Sequence, residues 1–74
     1  MKDQDSIKLK KIGNRLQEVR LRKNLTQKEL AFIVDVEISQ ITRIERGIIN
    51  TSVLNLVKIT DALEISMSEF FKEI

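Results

Sequence analysis

The stretch ISQITRIERG, Ile38–Gly47, decides how the chain is read. At roughly 100° per residue, Ile41 and Ile44 define one buried direction of a helix, with Glu45 beside them. Ser39, Arg43 and Arg46 point the opposite way, and Ile38, Gln40 and Thr42 lie on the flanks. Gly47 can supply the left-handed residue that ends such a helix. The segment is therefore a two-sided helix: one side is apolar, the other carries hydroxyls and guanidinium groups.

The flanking sequence builds a helical frame around it. Upstream, a helix is predicted from about Ser6 to Lys23, with Leu9, Ile12, Leu16 and Val19 on one stripe. Gly13 interrupts it at a cost of about 1 kcal/mol relative to alanine; it either permits close packing or has no role. A second helix opens on Thr26 and Glu29, spaced as a capping box, and its inner face is Leu30, Ala31 and Val34. Its pattern slips at Asp35. Downstream, Thr51 or Ser52 can cap a fourth helix whose stripe is Val53, Leu56, Ile59 and Leu63, with Ala62 adjacent. Leu54 and Val57 widen that stripe beyond the needs of one core. Ser66 and Glu69 repeat the capping-box spacing ahead of a short fifth helix with Met67, Phe70 and Phe71. Proline is absent, and no run alternates over a strand length. The fold expected is all-α, a compact five-helix domain over residues 6–74, with residues 1–5 as a disordered tail.

Composition narrows the chemistry. The 74 residues include no cysteine and no histidine, so neither zinc sites built from those ligands nor His-based triads are available. A chain this short buries only about 60% of its unfolded surface and rarely encloses a substrate pocket as well. Catalysis, cofactors, metals and small-molecule substrates are not expected. No apolar run approaches the roughly 20 residues of a membrane span, and the N-terminus lacks the apolar core of a signal peptide. A cytoplasmic protein with no membrane partner is the expectation. The net charge is only +2, but residues 1–23 carry eight Lys or Arg against three acids. That asymmetry suits a polyanionic partner and equally a solvated helix face.

Helices two and three are joined by Asp35-Val36-Glu37 alone. So short a connection forces an abrupt turn, the geometry of a helix-turn-helix whose second helix can enter the major groove of double-stranded DNA. Arginine can pair with guanine O6 and N7, hydroxyls can bond bases or phosphates, and a threonine or isoleucine methyl can touch the thymine methyl.

The segment from Ile12 to Phe71 resembles the Cro and phage-repressor type of helix-turn-helix domain, also called the xenobiotic-response-element family. The matching residues are the Gly13/Leu16/Val19/Arg20 spacing, then Thr26-Gln27-Lys28-Glu29-Leu30-Ala31, then Ile41-Thr42-Arg43-Ile44-Glu45-Arg46-Gly47. A tail follows with Val53, Leu56, Val57, Ile59, Ala62, Leu63 and Ile65 at matching intervals. The chain is similar to compact single-domain repressors and restriction–modification controller proteins. The resemblance implies base reading by Ile38, Ser39, Thr42 and Arg43. It implies phosphate contacts from Gln27, Arg46, Asn50 and Thr51. It also implies that Arg20 forms a structural ion pair with Glu45, whose carboxylate would otherwise be buried without a partner. The charge pattern adds Lys28, which can graze the phosphate backbone or be a solvated surface group.

Three positions depart from the family pattern. Asp35 stands where glycine is usual, Glu37 replaces a small polar cap, and Thr51 replaces a common proline. Glu37 brings negative charge close to where phosphate should lie, or could accept from cytosine N4. Several residues keep a bland reading beside the sharp one. Ile38 can flank the core or touch a thymine methyl, and Ser39, Thr42 and Arg43 can be ordinary surface groups. Phe32 can cover the core edge or mark a contact surface. Leu54, Val57, Met67, Phe70 and Phe71 together exceed one small core. One ring can close the core, and the set is expected to form a homodimer interface, as in similar compact proteins; the alternative is a monomer whose phenylalanines are all internal. The resulting expectation is a homodimeric transcriptional regulator on a palindromic operator. The alternative is a protein-interaction module, antitoxin-like or anti-repressor, that keeps the fold with weak DNA affinity.

Overall fold

A computed structural model of the chain describes residues 3–72 and 74. Five helices follow in order: α1 (Asp3–Arg22), α2 (Gln27–Val34), α3 (Ile38–Arg46), α4 (Val53–Ala62) and α5 (Met67–Phe71). Among the described residues there is no strand. The first helix starts at Asp3, so residues 3–5 are helical where a disordered tail was expected. Asp3 and Asp5 lie in its first turn, where carboxylates favour the positive end of the helix dipole. The rest of that expected tail, Met1 and Lys2, lies outside the described residues.

Local chemistry sets the helix boundaries. Thr26 and Glu29 form the reciprocal capping box, with Glu29 N donating to Thr26 Oγ1 at 3.0 Å and Thr26 N to Glu29 Oε1 at 2.9 Å. The bond from the Thr26 backbone, then that with its side chain, holds the Glu29 carboxyl below its ordinary range. Because this pKa is depressed in the fold, its stabilisation is complete above the unfolded value. It is lost as pH falls through the folded one. Ser52 and Ser66 cap α4 and α5 through their hydroxyls. The helix ends share a second device. A left-handed residue at Asn24, Asp35, Gly47 or Glu64 is followed by an apolar residue whose N–H reaches back five positions. These bonds are Leu25→Arg20, Val36→Ala31, Ile48→Arg43 and Ile65→Thr60, all 3.0–3.2 Å. Leu25, Val36 and Ile65 then pack against the core.

The core is assembled from Leu16, Val19, Leu30, Ala31, Val34, Ile41, Ile44, Ile59, Leu63 and Phe70. Helix α3 packs on α1 and α2, and α4 on α2 and α5. Two expectations are corrected here. Val53, expected on the inner stripe of α4, is 72% exposed, because only the second half of α4 reaches the core, through Ile59 and Thr60, with Leu63 just beyond. Phe70, expected at a dimer interface, is fully buried. It closes the core, and Phe71 lies edge-on against it with ring centroids 5.0 Å apart.

Two side-chain devices hold α1 in place. A Cβ on Gly13 would sit 2.4 Å from Ile44 O and 2.5 Å from Glu45 O, so glycine is what lets α1 and α3 approach. Arg15 clamps the C-terminal helix: its Nε donates to Phe70 O and its Nη2 to Glu69 O, both at 2.9 Å. Gly13→Ala is expected to lose about 1–3 kcal/mol, since the obstruction is backbone rather than a movable side chain. Glu64→Gly, which relieves a left-handed glutamate (φ 56°), is expected to gain about 0.5–1 kcal/mol. Thermal unfolding of both variants checks the two signs.

Candidate nucleic-acid interface

The unit α2–turn–α3 is built as its short connection requires. Asp35 takes the left-handed conformation, φ 63° and ψ 50°. Aspartate tolerates that region better than most residues, so the turn keeps its shape without the expected glycine. Glu37 starts α3 without any side-chain capping bond. Its carboxylate stays exposed beside the helix entrance.

Under the turn lies a buried polar network. Arg20 Nε donates to Glu45 Oε2 at 2.6 Å and Arg20 Nη2 to Glu45 Oε1 at 3.0 Å, with both residues buried. Arg20 Nη1 closes the end of α1 by donating to Leu25 O at 2.7 Å. Gln27 Nε2 donates to Glu45 Oε1 at 2.9 Å, and Thr42 Oγ1 donates to Gln27 Oε1 at 2.8 Å. Among the described residues no buried side-chain nitrogen or oxygen lacks a hydrogen-bond partner. A buried pair satisfied in this way is costly to break from one side.

The outward side of α3 carries Ser39, Arg43 and Arg46, all exposed, with Ile38 47% exposed at its start. Lys28 is exposed on the first turn of α2. None of Lys28, Arg43 and Arg46 forms an ion pair among the described residues. The basic character of α1 is less available. Arg15 and Arg22 both pair with Glu18, and Arg20 with Glu45. Arginines that composition counts towards a positive field are in part structural.

Three of the residues expected at phosphate have protein neighbours of their own. Gln27 is half-buried, and its amide is engaged by Glu45 and Thr42, leaving one N–H of the amide outside that network. Asn50 is exposed beside Asp5, Lys8 and Leu9 of α1, lining a shallow groove with them. Thr51 is half-buried and its hydroxyl accepts from Asn55 Nδ2 at 3.1 Å. Phe32, left open from sequence, is 87% exposed beside the 54% exposed Ile33, so it is a surface residue and not a core edge. The Gln27–Thr42 bond and the Arg15 clamp carry no spacing signature and are found only in three dimensions. Among the described residues there is no cluster of metal-ligating side chains. No described helix is long and apolar enough to cross a membrane.

A turn of this shape, an inner ion pair beneath it and an outer face of hydroxyls and guanidinium groups define a helix-turn-helix protein. Residues 16–70 match the Helix-turn-helix family, and the chain belongs to it. It is 37% identical over 65 residues to control protein C.MunI from Mycoplasma sp, covering 86% of this chain and 88% of that protein. The restriction-modification controller protein C.AhdI from Aeromonas hydrophila superposes with a TM-score of 0.86 at 39% identity, over 89% of this chain and 96% of that one. The controller protein C.Esp1396I, solved as a tetramer with its natural 35 base-pair operator, superposes at 0.79 with 33% identity, over 86% and 84% of the two chains.

Arg20→Met, which leaves Glu45 buried without its guanidinium, is expected to cost about 3–5 kcal/mol. Replacing both partners by apolar residues of similar volume is expected to recover most of that loss. Denaturant unfolding of the single and double variants measures the difference.

Proposed function

We propose that this protein is a sequence-specific regulator that binds double-stranded DNA as a homodimer, with α3 in the major groove. The observation that carries this is the two-sidedness of α3. Ile41, Ile44 and Glu45 are buried, while Ser39, Arg43 and Arg46 stand exposed on the opposite side with no ion-pair partner among the described residues. A relative of this chain, C.Esp1396I, is solved in complex with its operator, and the shared fold supports DNA binding here as well. Ile38, Ser39, Thr42 and Arg43 supply base preference. Arg46, Lys28, the free N–H of Gln27 and the Asn50–Thr51 segment face phosphate. Nothing in the site favours catalysis, and the compartment that suits this role is the cytoplasm.

The homodimer rests on a second surface. Val53 and Leu54 are 72% and 62% exposed, Val57 36% and Ile74 39%, with Met67 and Phe71 half-buried nearby in sequence on α5. With Phe70 withdrawn into the core, the exposed Val53, Leu54 and Val57 of α4, together with Met67 and Phe71, are the apolar groups that a second copy would cover. The molecule measures 32 × 25 × 20 Å. A pair that reads a palindromic operator needs its recognition helices on the order of 34 Å apart, one turn of DNA. A protein-interaction role is favoured by the exposed Phe32 and Ile33 and by the exposed acids Asp35 and Glu37 at the turn; it predicts no effect of Arg43 on DNA.

If a dimer neutralises on the order of 6–10 phosphates, log K against log salt should have a slope of about −5 to −9. Titration of a selected operator at several salt concentrations reads it, and a slope near zero would sink the mechanism. Arg43→Ala should relax preference at one base pair of each half-site by about 1–3 kcal/mol while the fold stays intact. Unchanged preference would transfer the argument to the Phe32 surface.

A further inference from the structure

The hydrogen-bond network beneath α3 has a direction, and that direction ends at a residue facing the groove. Guanidinium groups only donate and carboxylates only accept. Glu45 Oε1 already accepts from Arg20 Nη2 at 3.0 Å, so the Gln27 atom 2.9 Å from it must be the amide nitrogen. The flipped amide would set two oxygens against each other. Gln27 Oε1 is thereby turned towards Thr42, 2.8 Å away, and an amide oxygen can only accept. The single hydroxyl proton of Thr42 is committed inward. Its other neighbour, Ile38 O at 3.1 Å, is also an acceptor, so rotation between the two still leaves the proton inside the protein.

The geometry points to Thr42 as an acceptor-only reader: its oxygen presents lone pairs, and no proton, to the DNA. Resting on the placement of α3 in the major groove, this assigns the base chemistry that Thr42 accepts. The exposed major-groove donors are the N6 amine of adenine and the N4 amine of cytosine. Guanine offers N7 and O6 and thymine offers O4, all acceptors, as are phosphate oxygens. Thr42 therefore selects an amine-bearing base and disfavours guanine and thymine at the position it faces. Threonine in isolation would discriminate neither way, since a free hydroxyl can donate or accept. Arg20, Glu45 and Gln27 act as positioning residues for this choice without touching the base.

The test uses the full chain and a random double-stranded DNA library. Operators selected by the wild type and by Thr42→Val are compared, and the position whose preference relaxes in the variant is the one Thr42 faces. That base is expected to be adenine or cytosine. At that position adenine is then replaced by purine, which lacks the N6 amine, or by 7-deazaadenine, which lacks N7; cytosine is replaced by 2-pyrimidinone. Loss of the amine should weaken wild-type binding about 3- to 10-fold more than it weakens Thr42→Val. Thr42→Ser should restore the wild-type response, and 7-deazaadenine should leave it unchanged. A Thr42-dependent guanine or thymine, an equal response of both proteins to amine removal, or an enriched operator at which no position depends on Thr42 would each overturn the assignment while leaving DNA reading by α3 intact. Failure of the folded wild type to enrich any sequence would overturn DNA reading itself, and this assignment with it.

Discussion

The pair Arg20–Glu45 is the constraint on which the rest of the structure depends. It joins the end of α1 to the inner side of α3, and its guanidinium also closes the C-terminus of α1 through Leu25 O. Gln27 attaches the start of α2 to the same carboxylate. One buried ion pair thereby fixes three helices relative to each other at the base of the turn. An apolar contact there could supply comparable stability, but it would not define a direction for hydrogen bonds. The charged solution sets both the tilt of α3 and the polarity of groups on its outer flank.

Close approach of backbones makes that geometry possible. Gly13 lies against the carbonyls of Ile44 and Glu45, where no Cβ fits. Gly47, at φ 72°, ends α3 in a left-handed turn and lies against Lys10 of α1. The two glycines of the chain thus both serve the α1–α3 contact. Elsewhere Asn24, Asp35 and Glu64 hold left-handed turns without glycine. Each is followed by an apolar residue that packs on the core. The turns are held by packing and by the bonds to the preceding helix as much as by local preference.

The distribution of charge shows how composition can mislead. The first third of the chain is strongly basic in sequence, yet Arg15, Arg20 and Arg22 all face acids within the fold. Arg15 also ties α5 to α1 through two backbone carbonyls. That clamp seats Phe70 in the core and leaves Phe71, with the outer residues of α4, near the surface. The positive groups facing solvent on the helix-turn-helix side come instead from Lys28, Arg43 and Arg46. The arginines of α1 are thus committed within the fold, while Lys8, Lys10, Lys11 and Lys23 remain exposed and outside the ion pairs of the described residues.

Periodicity and caps made the five helices, the turn at Asp35 and the two-sidedness of Ile38–Gly47 legible before any coordinates, because these depend on residues within a few positions of each other. The inward lean of Glu45 was also legible, as a wheel position that demands a partner. The sequence could not decide between roles that share a spacing. Val53 has the register of a core residue but lies beyond the reach of the core. Phe70 and Phe71 are adjacent, and only the packing of α5 under the Arg15 clamp decides which is buried. Phe32 is surface because α2 turns Leu30, Ala31 and Val34 inward and no other helix covers its far side. The Gln27–Thr42 bond spans fifteen residues and has no signature along the chain. It exists because α2 and α3 cross over a shared carboxylate, and such long-range contacts are set by the tertiary arrangement alone.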